Sequence, residues 1–158
     1  MLSDRSISKI SSSLGARGLR WAGKANIPLY RISRGRLGAR IGRAPVLLLI
    51  TTGRRSGQKR TAPLVYLPDG ESMIVIGSNA GNHRVPAWAL NLKADPEAEV
   101  EIRHRRLPVR ARVAEGTERE DLWRRCNDQY AGFDDYEART DRDIAVFVLE
   151  PAGAGGAA

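Results

Sequence analysis

Arg54, Arg55, Lys59 and Arg60 fall within seven residues, interleaved with Gly53, Ser56, Gly57 and Thr61. The apolar run Leu47–Ile50 leads into this stretch, and Ala62-Pro63-Leu64 leads out of it, so the cations belong to a turn between two strands. Like charges repel at such close quarters, and an anion seated in the turn would neutralise them. Glycine lets the backbone curl so that several N–H groups face one spot. The hydroxyls of Ser56 and Thr61 add donors, and arginine grips phosphate or carboxylate through paired hydrogen bonds. The competing reading is a solvated hairpin tip, since surface cations are common. The stretch is not a Gly-Lys-Ser/Thr phosphate loop, and no Gly-x-Gly-x-x-Gly follows a strand.

A second polar grouping, Ser78-Asn79-Ala80-Gly81-Asn82-His83-Arg84-Val85-Pro86-Ala87-Trp88, gathers hydroxyl, amide, imidazole and indole groups in one loop. Loops held by a rigid scaffold are frequent ligand sites. His83 has no second ligand at useful spacing, and His104 belongs to another hairpin, so no metal is expected. Tyr130, Phe133 and Tyr136 recur every third residue. On a helix they share a face, which either packs into the core or walls a pocket mouth. Cys126, the single cysteine, reads as a packing residue; it excludes an intrachain disulfide and suits a reducing compartment.

These groups need elements to hold them. Apolar and alternating runs predict strands over Val46–Thr51, Arg60–Leu67, Met73–Ser78, Glu99–His104, Leu107–Ala114 and Ile144–Leu149. Pro86–Leu92 predicts a short helix, and Thr117-x-x-Glu120 a capping box for a helix to about Gln129. Asp134–Arg139 predicts another helical piece, and Pro68-Asp69-Gly70 a turn. Short strands with few helices between them do not make a parallel βαβ sheet; they point to an antiparallel barrel with helices at its edges.

Charge is unevenly spread. Residues 1–43 carry +9 of the net +8, and residues 44–158 carry −1. Within 3–25, Ile7, Ile10, Leu14, Gly18, Trp21 and Ala25 recur at helical spacing beside Arg5, Lys9, Arg17, Arg20 and Lys24. Such an amphipathic helix suits either an anionic membrane surface or the flank of its own domain. Residues 31–45, rich in Gly and Arg, read as an irregular connector. The expected organisation is a basic N-terminal helix and connector (1–43), a barrel domain (44–151) and a disordered tail (152–158). The longest apolar run, Ala44–Ile50, falls far short of the roughly 20 residues a membrane helix needs. No secretory core precedes it. The expected location is cytoplasmic, with peripheral contact at the inner face of the plasma membrane. Nucleic acid is not an expected partner, because the basic arm interleaves no aromatic ladder.

Several segments together carry a resemblance. They are Leu48-x-x-Thr51-Thr52-Gly53-Arg54-Arg55-Ser56-Gly57-x-x-Arg60-x-x-Pro63-Leu64, Ser78-x-x-Gly81, Pro86-x-Trp88-x-x-Asn91-Leu92-x-Ala94-x-Pro96, Tyr130-x-x-Phe133-x-x-Tyr136, Arg139-Thr140-Asp141-Arg142-x-Ile144 and Val148-Leu149-Glu150-Pro151. In this order, over about residues 20–151, the chain resembles the deazaflavin-dependent nitroreductase family of actinobacteria. The resemblance implies a mainly β fold, a split antiparallel β-barrel of the FMN-binding type with flanking helices. It implies coenzyme F420 as cofactor; charge alone fits FMN equally, since both present an anionic tail.

The resemblance also implies roles. Arg54, Arg55, Ser56 and Arg60 would hold the cofactor's phosphate and acidic tail. Thr61, Ala62, Pro63, Leu64 and Val65 would line its ring, flanked by Ile76, Gly77, Ser78 and Asn79. Ala87, Trp88, Ala89, Leu90 and Asn91 would close over the tail. Trp21, Tyr130, Phe133 and Tyr136 would border the acceptor, with Phe133 also near the cofactor and Ser78, Tyr130 and Tyr136 as the catalytic candidates. Asn79 stands where members often carry lysine, Phe133 where tyrosine is usual, and Ala89 where an aromatic is common. The implied activity is hydride transfer from reduced F420 to a quinone, a nitroaromatic or an activated enone, by a monomer or weak dimer. The alternative is a non-catalytic barrel that carries a cofactor, a lipid or a fatty acid.

Overall fold

The computed structural model describes residues 27–34, 40–41, 44–78, 84–130, 133, 137–138 and 141–153. The expected helix over 3–25 with Trp21, the loop from Asn79 to His83, most of the piece from Asp134 to Arg139 with Tyr136, and residues 154–158 lie outside the described residues.

The strands are β1 (Arg40–Ile41), β2 (Ala44–Thr52), β3 (Lys59–Val65), β4 (Leu67–Asp69), β5 (Ser72–Ile76), β6 (Glu97–Ile102), β7 (Arg105–Val113) and β8 (Val146–Pro151). Helices α1 (Ala87–Ala94) and α2 (Gly116–Gln129) interrupt them, and residues 27–32 are helical. All pairings are antiparallel, in the path β2–β6–β7–β8–β5–β4, with β1 and β3 both on β2. β3 at one end of this path and β4 at the other are separated by a single residue, Tyr66. One nearly continuous run of chain therefore changes partner at Tyr66, from β2 to β5, and returns the sheet on itself as a split barrel.

Side chains alternate across the sheet, as the period of two requires. Met73 and Val75 of β5, with Phe147 and Leu149 of β8, point inward to meet Leu47, Leu49, Val100 and Val109. Their neighbours Ile74, Ile76, Val146 and Val148 point outward, where Leu122 and Cys126 of α2 cover them. α1 closes the inner cluster with Trp88, Ala89 and Leu92; the Trp88 ring meets Phe147 edge-on at 5.5 Å. β2 is buried from Val46 through Thr51, as its unbroken apolar run predicts. Tyr30 is fully buried beside it. Its hydroxyl donates to the Val46 carbonyl (3.2 Å) and accepts from the Arg103 N–H (2.6 Å).

Several boundaries differ from expectation. The strand expected over Arg60–Leu67 is broken at Tyr66, because its two halves pair with different neighbours. The strand expected from Ile144 begins at Val146. Ile144 is buried without joining the sheet, and the Ala145 carbonyl instead receives the Gly77 N–H at 2.9 Å. The expected capping box does not form. α2 starts at Gly116, ahead of Thr117, with Glu115 at the cap position and no side-chain cap bond. Gly116 takes φ +58°, which turns the chain out of β7, and Arg112 engages Glu118 through two hydrogen bonds. The expected irregular connector contains β1. Among the described residues no helix is long and apolar enough to cross a membrane.

Burial pushes the Cys126 thiol up to about 12. A thiol-specific reagent at pH 8 should therefore label the folded protein far more slowly than the denatured chain. The linked stability should be intact below the ordinary thiol value of 9.0 and fall as pH rises from there toward about 12. Equal labelling rates would show that the thiol is not sealed.

Candidate active site

The cationic turn is tightly built. Gly53 N–H donates to the Gln58 carbonyl and Gly57 N–H to the Gly53 carbonyl, both at 2.8 Å. Gly57 takes φ +71°, a conformation that favours glycine. Gly53 does not; it is needed because a Cβ there would lie 2.7 Å from Ser56 Oγ and 3.1 Å from the Gln58 carbonyl. Ser56 Oγ accepts from the Gln58 N–H at 3.2 Å, which leaves its proton available to a ligand.

Asn91 locks this turn to α1. Its Oδ1 accepts from the Arg54 N–H (3.2 Å) and from Arg54 Nη1 (3.3 Å), and its Nδ2 donates to Thr51 Oγ1 (3.1 Å). The amide orients Arg54 without cancelling its charge. Among the described residues, none of Arg54, Arg55, Lys59 and Arg60 forms an ion pair with a carboxylate, and all four are exposed. Elsewhere on the sheet the opposite holds: Arg106, Arg110 and Arg112 each pair with glutamates. The turn thus keeps an uncompensated positive charge at one end of β3.

At its other end β3 parts from β5, with a narrow crevice between them. β4 and β5 pair in a register that sets Leu67 opposite Ile74. Continued, that register would set Val65 opposite Ile76, Leu64 opposite Gly77 and Pro63 opposite Ser78. Instead residues 59–65 pair with β2, and the hairpin is unzipped above Tyr66. The two runs expected to embrace the ring, Thr61–Val65 and Ile76–Ser78, are the two freed strands. Alternation turns Ala62 and Leu64 toward the inner core and leaves Val65 facing Ile76, Cys126 and Phe133 across a narrow crevice. Six residue steps at about 3.3 Å set Lys59 roughly 20 Å from Val65. A long ligand lying along β3 would place its charged end at the turn and its other end at the split.

The vertex of the split is fixed on both sides. Tyr66 N–H donates to the Pro45 carbonyl (3.0 Å), and the Tyr66 carbonyl accepts from Gln129 Nε2 (2.8 Å). The next residue, Tyr130, caps α2, and its ring stands edge-on to Phe133 at 5.3 Å; Phe133 also meets Trp123 at 6.3 Å. Phe133 is buried, whereas Tyr130 keeps partial access to solvent. Of the expected α1 residues, Asn91 is buried against the turn, Trp88 and Ala89 are buried in the inner core, Leu90 is partly buried and Ala87 is exposed. Asn79, Trp21 and Tyr136 lie outside the described residues.

Sequence reasoning gave no role to Gln129 or Arg142. Arg142 Nη2 donates to the carbonyls of both Gly77 and Ser78 at 2.9 Å. Arg142 sits between two aspartates, a pattern typical of exposed surface, and nothing local signals its distant partners.

The Asn91 latch is testable. Asn91→Leu removes an acceptor from Arg54 and a donor from Thr51, and should cost about 1–3 kcal/mol of stability by chemical denaturation. An unchanged unfolding midpoint would show that the latch contributes nothing.

Comparison with known proteins agrees with this geometry. The profile of the F420H(2)-dependent quinone reductase family matches residues 22–151. A Mycobacterium tuberculosis protein carried as a candidate F420H(2)-dependent quinone reductase is 42% identical over 117 residues, 73% of this chain and 98% of its own length. An F420H(2)-dependent quinone reductase of the same species is 38% identical over 125 residues, 77% of this chain and 84% of its own. Among solved structures, an F420-H2-dependent reductase superposes with a TM-score of 0.62 at 36% identity, covering 67% of this chain and 94% of that one. With the unzipped barrel and its charged turn already in place, these matches establish that the chain belongs to the F420H(2)-dependent quinone reductase family and is an F420-dependent oxidoreductase.

Proposed function

We propose that this chain binds coenzyme F420 along β3 and passes a hydride from its reduced form to a quinone. The observation that carries the reading is the unzipped hairpin with four uncompensated cations at its far end. Arg54, Arg55, Ser56 and Arg60 hold the phosphate and acidic tail. Thr61–Val65 and Ile76–Asn79 enclose the ring, with Ala87 and Leu90 bordering the tail. Asn91 holds the turn in place, and the buried Trp88 and Ala89 anchor α1 to the inner core. Pro63 suits this edge, since an open strand edge has no ladder bond for it to lose.

When bound, the reduced cofactor supplies the hydride. The chain orients donor and acceptor face to face and excludes water, so its contribution is proximity rather than a covalent intermediate. A quinone that accepts a hydride becomes a hydroquinone monoanion, and one proton completes the hydroquinone. Ser78, Tyr130 and Tyr136 donate hydrogen bonds to the charged oxygen and pass it that proton, directly or through water. Trp21, Phe133 and the two tyrosines border the acceptor. Nitroaromatics and activated enones are further acceptors, because they too move negative charge onto oxygen when a hydride arrives.

Quinones partition into membranes, and the segment before the barrel suits such a surface. Ile32 is 83% exposed and Leu29 47% exposed, beside the exposed Arg31 and Arg34. An apolar ridge flanked by cations favours an anionic lipid face.

Fluorescence titration with oxidised F420 and turnover of the reduced form with menaquinone test the function. Arg55→Ala and Arg60→Ala should each weaken cofactor binding about tenfold, or roughly 1.4 kcal/mol, with an unchanged unfolding transition. Binding should also weaken with added salt. Wild-type affinity in both variants would remove the turn from the site, and no F420 binding by the unaltered protein would overturn the function.

A further inference from the structure

Ser78 is only 7% exposed, yet among the described residues neither its N–H nor its Oγ has a hydrogen-bond partner. Buried polar groups are normally satisfied. Among the described residues no fully buried side-chain oxygen or nitrogen lacks a partner, so the Ser78 hydroxyl is not sealed from solvent. The residue holds two donors in reserve, two positions past the end of β5.

Its carbonyl side is fully engaged. Arg142 Nη2 lies 2.9 Å from the Gly77 carbonyl and 2.9 Å from the Ser78 carbonyl. In a strand, successive carbonyls point to opposite sides, so two that converge on one nitrogen mark a change of backbone direction. Gly77 is held from its other side as well, its N–H bonded to the Ala145 carbonyl at 2.9 Å. The loop supplying these contacts is itself pinned, because Arg119 Nη2 donates to the Ile144 carbonyl at 2.8 Å. A trans peptide directs its N–H opposite to its C=O. With the Gly77 carbonyl turned to the guanidinium, the Ser78 N–H leaves on the far side.

We propose that Arg142 is a positioning residue that turns Ser78 so that its N–H and Oγ jointly receive the acceptor oxygen. The guanidinium does not touch the acceptor. It polarises the Gly77–Ser78 peptide through its carbonyl, which makes the N–H a stronger donor. Preorganised donors of this kind act mainly on charge that develops in the transition state. Burial lowers the Arg142 pKa, but a guanidinium remains charged at any pH the protein meets. Behind it lies a depression of about 690 Å³ where Lys93 and Arg119 mix with Glu115, Asp141 and Asp143, and Arg142 forms part of its wall. This inference rests on the assignment of Ser78 to the acceptor site.

The test is a double-mutant cycle between Arg142→Gln and Ser78→Ala, with F420 affinity measured by fluorescence and kcat and KM measured with menaquinone. Arg142→Gln should lower kcat about tenfold, with the F420 Kd within about threefold of wild type. Arg142→Lys should recover part of the loss. In the Ser78→Ala background the same substitution should cost clearly less, about threefold, because the hydroxyl is gone and only the backbone N–H remains for Arg142 to direct. An undiminished loss in that background, with Ser78→Ala itself impaired, would overturn the Arg142 proposal alone. Full activity of Ser78→Ala with F420 bound would overturn the Ser78 assignment and this inference with it. If Arg142→Gln does not fold, the cycle is run with Arg142→Lys, and the same two outcomes decide.

Discussion

One nearly continuous run of chain serves two neighbours in turn, β2 along residues 59–65 and β5 along residues 67–69, and the barrel is organised around that change of partner. Residues 59–65 pair with β2 and part from β5, which has no hairpin mate beyond Ile74. The backbone groups freed above the vertex need other partners. At the vertex the protein supplies them itself, through Pro45 and Gln129. Further along, Arg142 takes the carbonyls of Gly77 and Ser78, and among the described residues the Ser78 N–H is left without a partner. The core supports this choice. Leu47, Leu49, Val75, Phe147 and Leu149 fill the interior from the paired strands, so the sheet does not depend on closing the gap.

Electrostatics follow the same division. On the outer face of β6 and β7, arginines and glutamates alternate and largely cancel, with Arg106 reaching both Glu99 and Glu101. Exposed pairs of this sort add little stability each, but they leave no net field. At the β2–β3 turn the cations stand without acidic partners among the described residues. The residue that orders Arg54 is an asparagine, a neutral acceptor. A carboxylate at the same place would hold the guanidinium equally well and would neutralise the charge a ligand's anion needs.

The sequence made the barrel and the turn legible because both depend on local patterns. Alternation along β5 and β8 and the unbroken apolar run of β2 each follow from which faces are buried, and the glycines and cations of the turn adjoin one another in the chain. The bend at Tyr66 left no mark, since Arg60 through Leu67 reads as one strand and partner choice is settled by distant segments. Ile144 gave a strand signal because it is buried, although its carbonyl serves Arg119 instead of a ladder. Trp88 stood out as a ligand-facing aromatic within a polar loop, but its indole packs on Phe147. Asn91 read as a cofactor contact, whereas its amide is used within the protein, on Thr51 and Arg54.

The bond from Gln129 to the Tyr66 carbonyl joins the pin of a pair of shears to the handle of a neighbouring tool. Tyr130 follows Gln129 directly and caps α2, so one amide ties the vertex where β3 leaves β5 to the helix end that carries the Tyr130 ring.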